Sequence, residues 1–135
     1  CTCIIGFMKA HAAHACPWDM THPTATGFIW DFSATAGHCF PGGHASTGFA
    51  LVTGYFVYRL DQTNSAWFYL FVGILLGFAM GWAQMMRGAH FISHNLWTGW
   101  ICLAINFVVY MITYKHHLLI AERNSVTQMS PNMIK

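Results

Sequence analysis

Three short blocks hold most of the side chains able to do chemistry. The first is Lys9-Ala10-His11-Ala12-Ala13-His14-Ala15-Cys16-Pro17-Trp18-Asp19. The second is Cys39-Phe40-Pro41-Gly42-Gly43-His44-Ala45-Ser46. The third is Gln84-Met85-Met86-Arg87-Gly88-Ala89-His90-Phe91-Ile92-Ser93-His94-Asn95-Leu96-Trp97. In the second block, proline followed by two glycines frees the backbone for a tight turn, and a helix is predicted from about His44. The open N–H groups of such a turn, set at the positive end of a helix, make a seat for an anion such as phosphate. In the third block, His90 and His94 stand four apart and Arg87 three before His90, so a helical stretch there brings all three to one face. Ionisable groups at a membrane edge are costly unless used.

The elements that position these blocks follow from composition. The chain has 135 residues, of which 7% are charged and 56% hydrophobic, with a formal net charge of +2. Ordinary soluble domains carry about 25% charged residues. This balance excludes a disordered chain, an acidic tail and a basic nucleic-acid module, so no nucleic-acid partner is expected. It points to an all-α, polytopic transmembrane helix bundle forming one domain over 1–135. Membrane helices are predicted at about 44–60, 66–86 and 96–114, each near the roughly 20 apolar residues a bilayer needs. Residues 1–8 read as the end of a truncated helix, 10–43 as an outer loop and 115–135 as a tail. Asn64 and Ser65 are the expected cap of the second span. Gly73-x-x-x-Gly77-x-x-x-Gly81 is expected to be an intramolecular packing stripe.

Orientation is set by lysine and arginine in short loops. Arg59, Lys115, Arg123 and Lys135 fall on one side, Lys9 and Arg87 on the other. The segment 59–64 and the tail are therefore expected in the cytoplasm, and the loop 10–43 with the turn 87–95 outside. All three blocks then lie at the outer face. Cys16 and Cys39 share that loop, where an oxidising compartment permits a disulfide. The tryptophans suit interfacial anchoring, with Trp18 and Trp30 placed to line a lipid entrance.

In this order the blocks resemble those of the type 2 phosphatidic acid phosphatase superfamily, whose pattern is Lys-x6-Arg-Pro, then Pro-Ser-Gly-His, then Ser-Arg-x5-His-x3-Asp. Lys9 and Pro17 match the first, with Cys16 at the arginine position. Pro41-Gly42-Gly43-His44 matches the second, with Gly42 at the serine position. In the third, His90 stands at the histidine, Gln84 at the arginine and His94 at the aspartate position. The chain is similar to a bacterial membrane-bound branch carrying Cys-Pro-Trp-Asp, Cys-Phe-Pro-Gly-Gly-His-Ala-Ser and Arg-Gly-Ala-His-Phe-x-Ser-His.

The resemblance implies a phosphatase, or a related phosphotransferase, acting on a lipid-linked phosphate or diphosphate through a phosphohistidine. His90 is then the nucleophile, His44 the proton donor that later activates water, and His94 the orienter of His90. Lys9, Arg87, Gly42 and Gly43 are the phosphate-binding set, Arg87 standing in for a missing guanidinium. No cofactor or metal is implied. The implied setting is the bilayer of a bacterial inner membrane with the site facing the periplasm, and the partner a phosphorylated lipid. Two readings stay open beside it. His90-x3-His94 with His44 could hold zinc, His11 and His14 forming a further pair. A catalytically inactive lipid-binding homologue would keep the fold without the chemistry. The sequence does not give the oligomeric state.

Overall fold

The computed structural model describes residues 1–34 and 37–129. Its elements are α1 (Thr2–His11), a 3-10 turn (Pro17–Met20), a hairpin of β1 (Thr21–Thr24) and β2 (Gly27–Trp30), then α2 (Gly43–Phe49), a second 3-10 turn (Ala50–Val52), α3 (Thr53–Tyr58), α4 (Thr63–Met86) and α5 (Ile92–Met129). Two segments, Thr63–Met86 and Ile92–His116, are long and apolar enough to cross a membrane. At 1.5 Å per residue, the 24 residues of α4 extend about 36 Å.

α4 needs no strong cap, being uncharged throughout and predominantly apolar after its first turn. It starts on Gln62, which makes no side-chain capping bond to the helix, so Asn64 and Ser65 lie within its first turn. It ends by a reversal that glycine permits: Gly88 adopts φ +69° and its N–H reaches the Met85 carbonyl at 2.9 Å. The reversal returns the chain at once into α5, leaving His90 in the turn.

The glycine stripe faces inward. Cβ atoms added at Gly73, Gly77 and Gly81 would meet Val52, Phe49 and Asn95, and one at Gly48 would strike the backbone of Gly77. α2 therefore lies directly on α4, backbone against backbone. Phe49 fills the resulting seam and joins Ile5 of α1, Ala45 and Cys102 in a buried core. The remaining aromatic and aliphatic side chains of α4 and α5 are largely exposed, among them Phe71, Leu75, Trp82 and Ile112. Helices buried inside a soluble core do not present such a surface.

Several expectations are revised. The segment expected as one span over 44–60 is helical, but the 3-10 turn at Ala50–Val52 divides it. The third helix begins at Ile92 rather than near residue 96, and it continues through the expected tail to Met129. The rest of the tail, with Lys135, lies outside the described residues. The fold is not purely α: the loop 10–43 contains an antiparallel hairpin in the register Thr21↔Trp30 and Thr24↔Gly27. Arg59 sits over the rings of Tyr55 and Tyr110, at 5.7 and 5.1 Å from their centres. That places the α3–α4 turn at the level where α5 approaches Lys115, far along that helix from His90.

Candidate active site

The end of the bundle opposite Arg59 collects four segments: the C-terminal end of α1, the loop around Cys39, the start of α2 and the turn between α4 and α5. Each brings a polar side chain to the same place. His90 is 5% exposed and His94 9% exposed. The His90 and His94 rings lie edge to face, 6.1 Å between centres. His94 is further enclosed by Phe40 at 5.4 Å, Phe91 at 5.3 Å and His14 at 6.3 Å.

Electrostatics at His90 follow from this enclosure. Burial, then the positive charge of Lys9, then the neighbouring His94 push its pKa down to about 4; the Cys39 backbone opposes the shift and His44 adds to it. A buried imidazole beside a lysine holds its proton poorly. His90 is therefore neutral at pH 7, with a free lone pair.

The other predicted residues fall in two groups. Lys9 reaches the start of α2: a Cβ on Gly43 would lie 3.9 Å from Lys9 Nζ. His44, the second residue of α2, is exposed and close enough for its charge to bear on His90. Cys16 and Cys39 are joined as a disulfide across a separation of 23 residues. It ties the segment following Lys9 to the loop preceding His44. Cys39 Sγ lies 3.5 Å from His90 Nδ1 and contacts the Ala89 carbonyl.

Two predicted residues are placed differently. Gly42 is not a free donor, because its N–H is already given to Thr98 Oγ1 at 2.8 Å. Arg87 is the C-cap residue of α4 and its side chain is exposed. Among the described residues no hydrogen bond or ion pair ties it to the cluster. His94 also makes no hydrogen bond to His90; its Nδ1 is buried without a partner. His11 bonds back to the Phe7 carbonyl at 2.9 Å on an exposed face, so it forms no metal pair with His14. Among the described residues the group within chelating reach is Cys39, His90 and His94, whose ligand atoms lie within 4.8 Å of one another, rather than one containing His44. Asp19 serves the local backbone, its carboxylate accepting the Cys16 N–H at 3.0 Å, and Asp31 pairs with His22 at 3.8 Å on the hairpin. An apolar cavity of about 320 Å³ lined by Phe56, Val57 and Tyr110 opens near Arg59, away from these groups.

Sequence reading missed Asn95 and Thr98. Thr98 is fully buried; its hydroxyl accepts from Gly42 and donates to the His94 carbonyl at 2.7 Å. One side chain thus links the loop before His44 to the helical turn carrying His94. Asn95 is 2% exposed and neither its Oδ1 nor its Nδ2 has a hydrogen-bond partner. It lies three residues before Thr98 on α5, and polar residues at that spacing in an apolar helix were the available signal.

Comparison with curated proteins and with solved structures returned no match. Comparison with protein-family models matched one family over residues 1–118, which takes in all three blocks, α1 to α4 and most of α5. On that match, the chain belongs to the PAP2 superfamily.

Proposed function

We propose that this protein hydrolyses a lipid-linked phosphate or diphosphate through a phosphohistidine formed on His90, at the extracytoplasmic end of a membrane helix bundle. Members of the superfamily are phosphatases acting on phosphate esters, which sets the class of reaction. The observation that carries the finer reading is the state of His90: buried, neutral at pH 7, and next to the charge of Lys9.

In this reaction the free nitrogen of His90 attacks phosphorus, and protonated His44 gives its proton to the departing ester oxygen. His44, now neutral, takes a proton from water. The resulting hydroxide attacks the phosphohistidine, releasing inorganic phosphate and restoring both rings. Lys9 stabilises the charge that builds on the non-bridging oxygens, and the Gly43 amide beside it is a second candidate donor. Arg87, exposed at the rim, is placed to meet a headgroup on arrival. His94, walled by Phe40 and Phe91, packs against His90 and limits its rotation.

The lipid character of the substrate is supported by the exposed apolar surfaces of α4 and α5, which lead to the cluster. The outer orientation rests on the distribution of Lys and Arg. The test is release of inorganic phosphate from vesicles containing a lipid monophosphate or an isoprenyl diphosphate. His90→Ala and His44→Ala are expected to lower the rate at least about 100-fold. Rates equal to the parent in either variant would overturn the mechanism.

A further inference from the structure

We propose that reduction of the Cys16–Cys39 disulfide turns this end of the molecule into a four-ligand site for zinc, made of Cys16, Cys39, His90 and His94. The donor atoms of Cys39, His90 and His94 already lie within 4.8 Å of one another, and all three residues are buried. Tetrahedral zinc, with bonds of about 2.0–2.1 Å to nitrogen and 2.3 Å to sulfur, sets its ligand atoms about 3.3–3.8 Å apart. Cys39 Sγ and His90 Nδ1 stand at 3.5 Å, within that range. The Cys16 sulfur, bonded to Cys39 in the oxidised protein, lies outside the set of three donor atoms within 4.8 Å of one another and must swing in once the bond is broken to take the fourth position. His94 supplies a second, independent pointer: its Nδ1 is buried without a hydrogen-bond partner, a costly state that a metal bond would relieve.

The chemistry balances. A phosphine attacks the disulfide and is oxidised to its phosphine oxide, water supplying the oxygen and the two protons, which leaves two protein thiols. Zinc then binds both sulfurs as thiolates, displacing two protons, together with two neutral imidazoles. While the disulfide is intact neither sulfur is an anionic ligand, so the site exists only in the reduced protein. Resting on the phosphohistidine reading, the consequence is a redox-gated block, since metal on His90 withdraws electron density from the attacking ring.

The test uses the full chain in detergent or nanodiscs, reduced with a phosphine and incubated with zinc alone. Reduced protein is expected to retain one zinc per chain after gel filtration, and oxidised protein none. Cobalt in place of zinc should give thiolate-to-cobalt charge-transfer absorption. Cys39→Ser and His94→Gln should each weaken zinc binding by more than the roughly 10–100-fold that loss of a supporting partner costs, while Cys3→Ser, an exposed free cysteine, should not. Equal retention in the oxidised and reduced protein, retention unchanged by Cys39→Ser, or a cobalt spectrum without thiolate absorption would each overturn the site. Phosphate release is read in parallel. Loss of activity that a chelator reverses supports the block. Zinc bound with full activity counts against His90 as nucleophile and leaves the metal site standing.

Discussion

A Cβ atom on Gly42 would stand 2.8 Å from Oδ1 of Asn95, with Thr98 Oγ1 at 3.3 Å. The space that a side chain at position 42 would need is held by two polar residues of α5. Glycine at this position, where the family pattern has serine, is therefore matched by what α5 carries opposite it. Gly42→Ala is expected to cost about 1–3 kcal/mol of stability. Combined with Asn95→Ala, most of that loss should disappear. Thermal unfolding of both single variants and the double variant measures the coupling, and strictly additive losses would contradict the contact.

Thr98→Val keeps the shape of the side chain and removes its hydroxyl. The Gly42 N–H is then buried without an acceptor, a loss of about 1–3 kcal/mol. Because the same hydroxyl holds the loop before His44 to the turn of His94, phosphate release should fall alongside the melting temperature. Thr53→Val, which breaks a comparable bond to Asn106 near the other end, should destabilise without the same loss of kcat.

The pH dependence follows from His90. Its pKa is lowered to about 4 from an ordinary 6.5, so the unfolded chain binds more protons than the folded one between those values. Stability from this group is fully present above about 6.5 and lost as pH falls toward 4. The acid limb of kcat/KM, corrected for the substrate's own phosphate ionisation near about 6, should have its midpoint below pH 5. Lys9→Met should move it upward, though not to 6.5, because burial is the larger cause. A limb at 6.5 in the parent protein would contradict a buried, neutral nucleophile.

Breaking the disulfide has a calculable cost. For a 23-residue separation, the chain-entropy relation gives about 3 kcal/mol. Cys16→Ser should lose about that much in chemical unfolding, and the parent treated with reductant in metal-free buffer should lose the same. Agreement between the two would assign the whole effect to the cross-link.

Much of this arrangement was legible in the sequence because it rests on local pattern. The uncharged run of α4 can only be a long apolar helix, and glycines four apart have to share a face. The hairpin escaped because its signals are weak: Pro23 sits inside β1 and the turn lacks an Asn-Gly or Asp-Gly pair. The length of α5 escaped because charges after Tyr114 read as an end, whereas Lys, Glu and Arg continue a helix readily. The loss of Gly42 as a donor was invisible for a different reason: its partner lies 56 positions away, and no local rule assigns a long-range acceptor. The same holds for His94, whose surroundings of Phe40, Phe91 and His14 depend on three separate segments meeting.

The crossing of Gly48 over Gly77 acts as the fulcrum of the molecule. His44 lies one turn beyond it on one arm, and the other arm runs the last turns of α4 before reaching His90. With backbone touching backbone there, neither arm can pivot without prising the two helices apart. The gap between the two imidazoles is thus fixed at a point that touches neither. A bulky residue at 48 or 77 would act as a wedge, opening that gap from a distance while leaving every polar group in place.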